Sequence, residues 1–417
     1  MSHAIAYLAG AFPSRSETFV YREVRELRRR GWKVVAASLH PSPDPGLQEF
    51  QDLEEGLLVV YGAPARMAKA TAGEVLRHPL RSLTTLFRAV GDAVRPGEPF
   101  APLARAKLLG QSIAGIVLAS WLRRTRVSHI HCHFAHAPTS VGMYAAYQLG
   151  VPFSFTGHAN DLFRRRALLK RKLQRAAFVA CISEWHRDFY REIYRRDDTA
   201  YRVIRCGVDL AAWRPSPGRA TAGPALRILT ICRLVEKKGV DTLLRALHDL
   251  TGRGASWQFT VAGDGPEGPR LADLARGLKI DASVRWLGAV NNERVIELLA
   301  ETDVFALPCR TDASGDRDGI PVALIEAMAC GVPVVSGDLP AIRELIRDGH
   351  SGRLVNGTDA KALTAALLQM RDASTRQNLS AGGRHRVEEE FSLQLNIDRL
   401  EGALANCGVA SGSDWKA

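Results

Sequence analysis

Long hydrophobic runs are absent from this chain of 417 residues. A membrane-spanning helix needs about 18 consecutive apolar residues, and the nearest approach, residues 108–122, is interrupted by Gln111, Ser112 and Ser120. The apolar stretch at the N-terminus has no basic region before it, so we expect no signal peptide. Internal repeats and low-complexity tracts are also missing, which excludes a repeat architecture.

Cysteine is scarce and scattered. The seven cysteines are odd in number and form no Cys-x-x-Cys pair. This usage indicates a reducing cytosol and not a disulfide framework. The length suits two domains, and the apolar fraction of 46% is typical of globular proteins that bury a core.

Acidic residues are in deficit. There are 56 Lys and Arg residues against 44 Asp and Glu residues, a net charge of +12. Such an excess indicates an anionic partner, which can be a nucleotide, a phospholipid surface or a nucleic acid. Nucleic acid is the least favoured of these, because aromatic platforms and base-reading motifs are absent.

The most informative stretch is residues 303–336. An apolar run of strand type at 304–309 is followed by a polar loop and by a segment of helical spacing at 322–330. Pro321 suits the first helical position and Gly331 the C-terminal cap. Such a strand–loop–helix unit places its loop at the carboxyl end of a parallel sheet, where ligands bind and free N–H groups favour an anion.

Glu326 is the only charged residue between Gly319 and Gly331, on a predicted helix that is otherwise apolar. A buried carboxylate needs a partner. Ligand hydroxyls would supply one, and so would an arginine or a backbone N–H of the protein itself. The unit alone leaves both interpretations open.

A second ligand-type pattern follows the strand predicted at residues 226–232. Arg233 and Lys238 lie five residues apart in the loop before the next helix. Arginine chelates an anion bidentately and lysine supplies a point charge, so this spacing can straddle a diphosphate.

A strand at residues 127–134 carries His129, His131 and His133 at alternate positions, hence on one face. Three imidazoles on one side of a strand can ligate zinc. However, no acidic or cysteine ligand is paired with them in the sequence, and a strand that ends at a ligand site also accounts for polar residues. We therefore expect no metal.

The segment DGIPVALIEAMACGVPVV, from Asp318 to Val335, resembles the two-acid signature of retaining nucleotide-sugar glycosyltransferases of family 4. The family usually has glutamate at both acidic positions, and Asp318 is one methylene shorter. The segments at 12–31, 129–135 and 154–161 resemble the exopolysaccharide branch of that family, which includes colanic-acid transferases.

This resemblance implies the GT-B fold, an α/β architecture of two facing Rossmann-like, doubly wound domains with a cleft between them. The acceptor-side domain is expected at residues 1–208, with a helical insertion at 62–126. The nucleotide-sugar domain is expected at 209–391, with a Pro/Gly/Ser-rich linker at 214–224. Residues 392–417 are expected to form a helix that returns to the first domain.

The resemblance also implies roles for individual residues. His158 approaches the hydroxyls or the anomeric centre of the donor sugar, and Asp161 caps the next helix or orients that histidine. Arg233 and Lys238 bind the donor phosphates. Glu326 accepts from the ribose hydroxyls, and Asp318 accepts from a sugar hydroxyl. Further donor contacts are implied at Gly263, Asp264, Leu287, Gly319, Ile320, Pro321 and Val322.

The implied reaction is transfer with retention from a UDP-, GDP- or other nucleotide-sugar to a glycan or polyprenyl-diphosphate-linked acceptor. It requires no protein nucleophile, no metal and no further cofactor. Two other interpretations remain: a non-catalytic nucleotide-sugar- or lipid-binding partner of a polysaccharide assembly complex, and a sugar-nucleotide 2-epimerase of similar architecture.

Two basic segments accompany these motifs. A basic amphipathic insertion is typical of membrane-surface binding, although solvated helices are an equal alternative. We expect peripheral attachment to an anionic cytoplasmic membrane surface. The cations of the insertion are Arg66, Lys69, Arg77, Arg81, Arg88, Arg105, Lys107, Arg123, Arg124 and Arg126, and those after Asp161 are Arg164, Arg165, Arg166, Lys170, Arg171, Lys172 and Arg175.

Overall fold

The computed structural model describes residues 4–15, 17–94, 102–158, 167–216 and 225–409. It divides into two compact units, Met1–Arg205 with Asn396–Ala417, and Cys206–Leu395. The boundaries expected from the sequence, after residues 208 and 391, lie three and four residues from these. Residues 217–224 of the expected linker lie outside the described ranges.

The first unit is built on a seven-stranded sheet in the order β3-β2-β1-β4-β5-β6-β7, with every neighbouring pair parallel. Its strands are β1 (Ala4–Ala11), β2 (Val34–His40), β3 (Leu58–Val59), β4 (Val127–His133), β5 (Phe153–Gly157), β6 (Val179–Cys181) and β7 (Tyr201–Val203). Among the described residues, its helices up to β7 are α1 (Thr18–Arg29), α2 (Gln51–Glu54), α3 (Pro64–Arg77), α4 (Pro79–Val94), α5 (Pro102–Leu122), α6 (Ala137–Leu149), α7 (Leu169–Arg175) and α8 (Glu184–Ile193). The chain order reverses between β1 and β4, which makes that position the topological switch point.

The second unit repeats this pattern with six parallel strands in the order β10-β9-β8-β11-β12-β13. The strands are β8 (Leu226–Ile231), β9 (Trp257–Ala262), β10 (Val284–Trp286), β11 (Val304–Leu307), β12 (Val334–Gly337) and β13 (Arg353–Val355). The helices are α9 (Val240–Gly252), α10 (Gly268–Gly277), α11 (Asn292–Ala300), α12 (Val322–Ala329), α13 (Ala360–Gln369) and α14 (Ala373–Glu390), and α15 (Leu393–Ala405) continues into the first unit. Here the switch point lies between β8 and β11.

Each sheet is covered by helices, and its central strands are correspondingly apolar. Val304, Phe305, Val334 and Val335 of β11 and β12 have no exposed surface. Strands buried on both faces form continuous apolar runs, which is why these two were recognisable in the sequence. Both predicted Rossmann-like domains are therefore present.

The predicted insertion contains three helices, α3, α4 and α5, and each begins at a proline. Proline favours a first turn because its missing N–H would have no helical partner there. The second half of α5 packs tightly on α6: a Cβ added to Gly115 would lie 2.8 Å from the Cβ of Tyr144. Within the described ranges, none of the helices has the length and apolarity needed to cross a bilayer.

Candidate functional site

Two of the predicted donor-site residues meet at the switch point of the second unit. The chain leaves β8 through a loop that ends at Lys238, and it leaves β11 through the loop that contains Asp318. The Lys238 Nζ lies 3.0 Å from one carboxylate oxygen of Asp318, and the Lys237 Nζ lies 3.5 Å from the other. The sequence predicted both Lys238 and Asp318 as site residues but not the contact between them.

The ion pair holds both groups in their charged forms. Burial by itself would lower the pKa of Lys238, but Asp318 raises that pKa well above the ordinary value. Burial would raise the pKa of Asp318, but Lys238 and Lys237 hold it below the ordinary carboxyl value. A fixed cation thus stands beside the sheet end at neutral pH.

Two glycines allow the loops to approach so closely. Gly239 has φ of +67°, and a Cβ there would lie 2.1 Å from the carbonyl oxygen of Pro308. Gly263 has φ of +134°, and its Cβ would lie 1.8 Å from the Cys232 carbonyl oxygen. Any other residue at these positions would both strain the backbone and separate the strand ends.

The other residues of these loops that are predicted to bind the donor differ in whether a ligand can reach them. Arg233 is exposed at the end of β8. The Asp264 carbonyl accepts from the Leu234 N–H at 2.8 Å, so the Gly-Asp turn supports the arginine loop. The Leu287 N–H donates to the Val261 carbonyl at 2.9 Å and is not available to a base.

Helix α12 begins at the start of the predicted helical segment, but Pro321 does not occupy its first helical position as predicted. Pro321 has an extended ψ of 126° and is the N-cap residue, so Val322 is the first helical residue. No side chain caps this helix start, which leaves its first N–H groups for an anion. Gly319 and Ile320 are buried just before it.

Glu326 lies in the second turn of α12 and is 7% exposed. A carboxylate at that depth is largely desolvated, so donated hydrogen bonds stabilise it strongly. The structure thereby places Glu326 and Asp318 in one strand–loop–helix unit, as the sequence predicted.

The polar loop before Asp318 is more ordered than its composition suggests. The Asp312 carboxylate accepts from the backbone N–H groups of Ser314 and Asp316, at 2.8 and 3.0 Å. Asp316 is buried and pairs with Lys237 at 3.2 Å. Lys237 and Asp316 were missed as site-supporting residues, and the only signal in the sequence was the adjacent pair of lysines.

We expect Asp318→Glu to retain transfer, because it restores the commoner residue of the family and keeps the charge beside Lys238. The measurement is the rate of sugar transfer from the donor that the wild-type protein uses. An inactive variant of normal stability would instead show that the shorter carboxylate is matched to a particular sugar.

A second polar cluster lies at the switch point of the first unit. The three histidines of β4 lie in the core with no exposed surface. The Ser154 hydroxyl lies 2.7 Å from the Nε2 of His129 and 2.8 Å from the Nδ1 of His131. His133 Nδ1 faces His158 Nε2 at 3.3 Å, so His158, the predicted sugar-side histidine, belongs to this cluster.

The acidic partner that the sequence did not reveal is Glu23 of α1. Its carboxylate lies 3.2 Å from His133 Nε2 and accepts from the Tyr7 hydroxyl at 2.8 Å. The prediction that no acidic group accompanies the histidines is therefore wrong. Helix α1 follows β1, and β1 pairs with β4, so a residue remote in sequence is carried onto the histidine face.

Glu23, His131 and His133 are also the group, among the described residues, whose ligand atoms could surround a metal ion, all lying within 4.8 Å of one another. Both ring nitrogens of His131 already have partners: Nδ1 lies 2.8 Å from the Ser154 hydroxyl and Nε2 lies 3.0 Å from the Thr156 hydroxyl. The arrangement can act as a chain of polar contacts that orients His158. Asp161, the other predicted orienting residue, lies outside the described residues.

These buried imidazoles predict how stability depends on pH. Burial lowers the pKa of His129 to about 4 and places those of His131 and His158 well below the ordinary 6.5. The unfolded chain binds protons near pH 6.5 while the folded chain does not, so the free energy of unfolding should fall as pH decreases from about 6.5 towards 4. Each unit of pKa depression corresponds to about 1.4 kcal/mol.

Denaturant unfolding at a series of pH values measures this slope. His129→Asn should make it shallower, and His385→Asn, at a side chain that is 71% exposed, should not. An identical slope in the wild type and in His129→Asn would contradict the explanation.

Several cations of the two basic segments form contacts within the protein that the sequence does not reveal. Arg123 pairs with buried Glu74 at 2.6 Å, and Arg175 pairs with buried Asp92 at 2.7 Å. Lys172 is fully buried and donates to three backbone carbonyls. The sequence predicts few acids beside these cations, which is wrong for Arg123 and Arg175, because the fold brings buried acids to them, whereas Lys172 is held by backbone carbonyls. Arg164, Arg165 and Arg166 lie outside the described residues.

Comparison with known proteins places this geometry among sugar-transferring enzymes. The family model "Glycosyltransferase Family 4" matches residues 16–212, and "Glycosyl transferases group 1" matches residues 219–386. The chain is 37% identical over 195 residues to WcaL of Escherichia coli K12, assigned as a colanic acid biosynthesis glycosyltransferase, covering 46% of this chain and 48% of that one. It is 38% identical over 176 residues to the amylovoran biosynthesis glycosyltransferase AmsK of Erwinia amylovora, covering 42% and 43%.

The chain thus spans about half the length of the curated relatives it matches. Among solved structures, Alr3699/HepE of Anabaena in complex with UDP and glucose is similar, with a TM-score of 0.70. The match covers 97% of this chain and 99% of that one at 16% sequence identity, so the similarity is one of fold.

Proposed function

Because the chain belongs to the family 4 glycosyltransferases and has their GT-B fold, we propose that it is a retaining glycosyltransferase. Its donor is a sugar linked to a nucleoside diphosphate, and its acceptor is a glycan or a polyprenyl-diphosphate-linked glycan. The observation that carries this proposal is the Lys238–Asp318 pair beside the uncapped start of α12. A charged lysine and an uncapped helix start thus belong to neighbouring loops at the end of a parallel sheet.

The role of each residue follows from where negative charge develops during the reaction. Departure of the nucleotide leaves an anionic diphosphate, which Arg233, Lys238 and the N–H groups at the start of α12 stabilise. Glu326 accepts hydrogen bonds from the ribose, and Asp318 accepts one from the sugar once the donor competes for Lys238.

Stabilisation of the leaving group by protein cations makes a metal unnecessary in this proposal. His158 has a depressed pKa and is therefore neutral, so it both donates and accepts beside the sugar. Retention follows when the acceptor attacks from the face that the diphosphate leaves, with the diphosphate taking the acceptor's proton.

The curated relatives act in colanic acid and amylovoran biosynthesis, which supports an assignment to exopolysaccharide or cell-surface polysaccharide synthesis. Acceptors of such pathways are commonly carried on a membrane lipid. We therefore place the enzyme on the cytoplasmic membrane surface as a peripheral protein.

Two measurements test the proposal. A thermal-shift screen with UDP, GDP and ADP identifies the base, since a ligand at 100 times its Kd stabilises by about 2.7 kcal/mol. Turnover of the corresponding labelled nucleotide-sugars, with and without divalent metal, then separates an enzyme from a non-catalytic binding protein. Retained anomeric configuration in the product supports the mechanism, whereas epimerised donor or binding without turnover would overturn it.

A further inference from the structure

The exposed large apolar side chains of the described residues are confined to one part of the molecule, helices α3, α4 and α5. They are Val75, Leu76, Leu80, Leu83, Phe87, Val90, Val94, Leu103, Leu109 and Ile113. Single exposed apolar residues are ordinary, but a concentration of this kind marks an interaction surface. We call it the apolar face.

Helix α4 is amphipathic, but its apolar side is exposed and its polar side packs on the protein. Leu80, Leu83, Phe87, Val90 and Val94 follow one another at intervals of three and four residues and so form one stripe. Leu80 is 79% exposed and Phe87 is 66% exposed. The side that packs on the protein is instead mostly polar, with Ser82, Thr85, Ala89 and Asp92 buried.

Hydrogen bonds fix this inverted orientation. The Thr85 hydroxyl donates to the Gln148 side-chain carbonyl at 3.0 Å, and the Gln148 amide donates to Ser82 at 3.1 Å. Asp92 accepts from Arg175 at 2.7 Å and from the Tyr144 hydroxyl at 3.1 Å. Turning α4 inward would bury the apolar stripe only by breaking this network, including a buried charge pair.

The apolar face continues across the neighbouring helices. Met67, Val75 and Leu76 of α3 and Ile113 of α5 line a groove of about 600 Å³. Leu103 and Leu109 extend the surface along the first half of α5.

The charges around the apolar face have one sign. The exposed cations are Arg66, Lys69, Arg77, Arg81, Arg88 and Lys107. The acids in the described part of the insertion are Glu74 and Asp92, and both are buried in ion pairs. In the described part of the insertion the exposed charges are therefore all positive. An apolar surface with such charges complements a surface that offers both negative charge and apolar depth.

We propose that the apolar face enters the interfacial region of an anionic phospholipid membrane, with Leu80, Leu83 and Phe87 among the acyl chains and the cations at the phosphates. An interfacial helix binds through its apolar area together with electrostatic attraction to anionic lipid. A second copy of this chain fits less well, because pairing two such faces would oppose their cations. The inference rests on the proposed function, in which the acceptor is linked to a lipid. The membrane contact itself involves no sugar.

Flotation with vesicles of phosphatidylethanolamine and phosphatidylglycerol tests it, using the full chain without donor or acceptor. The wild-type protein should float at low salt, and part of it should still float at about 1 M salt, where the Debye length is about 3 Å. Leu80→Gln with Phe87→Gln should weaken partitioning at least about tenfold and abolish the salt-resistant part. Arg66→Gln with Lys69→Gln should weaken only the salt-sensitive part.

Ala365→Gln is the control, since Ala365 is exposed on α13 of the second unit, outside the apolar face, and should leave partitioning unchanged. Far-UV circular dichroism verifies that all variants are folded. Wild-type protein that stays unbound at low salt would overturn the inference. So would a wild-type dimer that Leu80→Gln with Phe87→Gln converts to a monomer in the absence of vesicles. Nucleotide binding is measured separately in the same variants, so loss of membrane contact and failure of the proposed function are distinguishable.

Discussion

Lys238→Ala is expected to reduce sugar transfer about 10²- to 10³-fold, the usual effect of removing one group that stabilises developing negative charge. Lys238 is the cation held at the sheet end by Asp318, and its raised pKa keeps it charged throughout the working pH range. The fold should persist, because Lys237 still lies 3.5 Å from the Asp318 carboxylate after the substitution. The measurements are kcat with a labelled donor and the far-UV circular dichroism spectrum.

Lys361→Ala provides the control for Lys238→Ala, since Lys361 is an exposed lysine of α13 in the same unit. It should leave both transfer and donor hydrolysis unchanged. If Lys238→Ala also transfers and hydrolyses donor at the wild-type rate, the assignment of this lysine to the donor phosphates is wrong.

Glu326→Gln should weaken nucleotide binding about 2- to 30-fold. The substitution preserves shape but removes the charge from a carboxylate that is 7% exposed. A hydrogen bond to a charged group contributes about 1.5–3 kcal/mol, against about 1 kcal/mol for a neutral pair. Titration calorimetry with the nucleotide identified by thermal shift measures the change in Kd.

A second buried carboxylate serves as the comparison. Glu74 is 2% exposed and accepts from Arg123 and from Gln148, within the first unit. Glu74→Gln should lower the melting temperature and leave nucleotide affinity unchanged. If Glu326→Gln behaves in this same way, Glu326 is a structural residue and not a ribose ligand.

The local predictions succeeded where one short segment contained the whole signal. Strand β8, Leu226–Ile231, ends one residue before the strand predicted at 226–232, and the strand–loop–helix unit around Asp318 is present with a shift of one residue at Pro321. Apolar runs bounded by glycine and proline determine such elements through short-range sterics and hydrogen bonding. The same segments also contain the motif from which the family could be identified.

Contacts between segments that are remote in the sequence could not be predicted from local patterns. Glu23 and His133 are remote in the sequence, and their contact depends on the pairing of β1 with β4. The sequence shows Arg123 and Arg175 only as cations, and the fold pairs them with Glu74 and Asp92. In each case a charge was visible in the sequence and its partner was not.

The sequence by itself determined the alternation of strands and helices, the absence of a membrane-spanning helix in the described ranges and the identities of the residues at the sheet ends. Only the tertiary structure decided that Lys238 pairs with Asp318, that Glu23 completes the histidine cluster, and that α4 turns its apolar stripe outward. The physical reason is that periodicity identifies the apolar side of a helix, whereas the direction in which that side points depends on partners elsewhere in the chain. Gln148 and Arg175 hold the polar side of α4 against the protein, and the energy of those buried bonds fixes which side faces out.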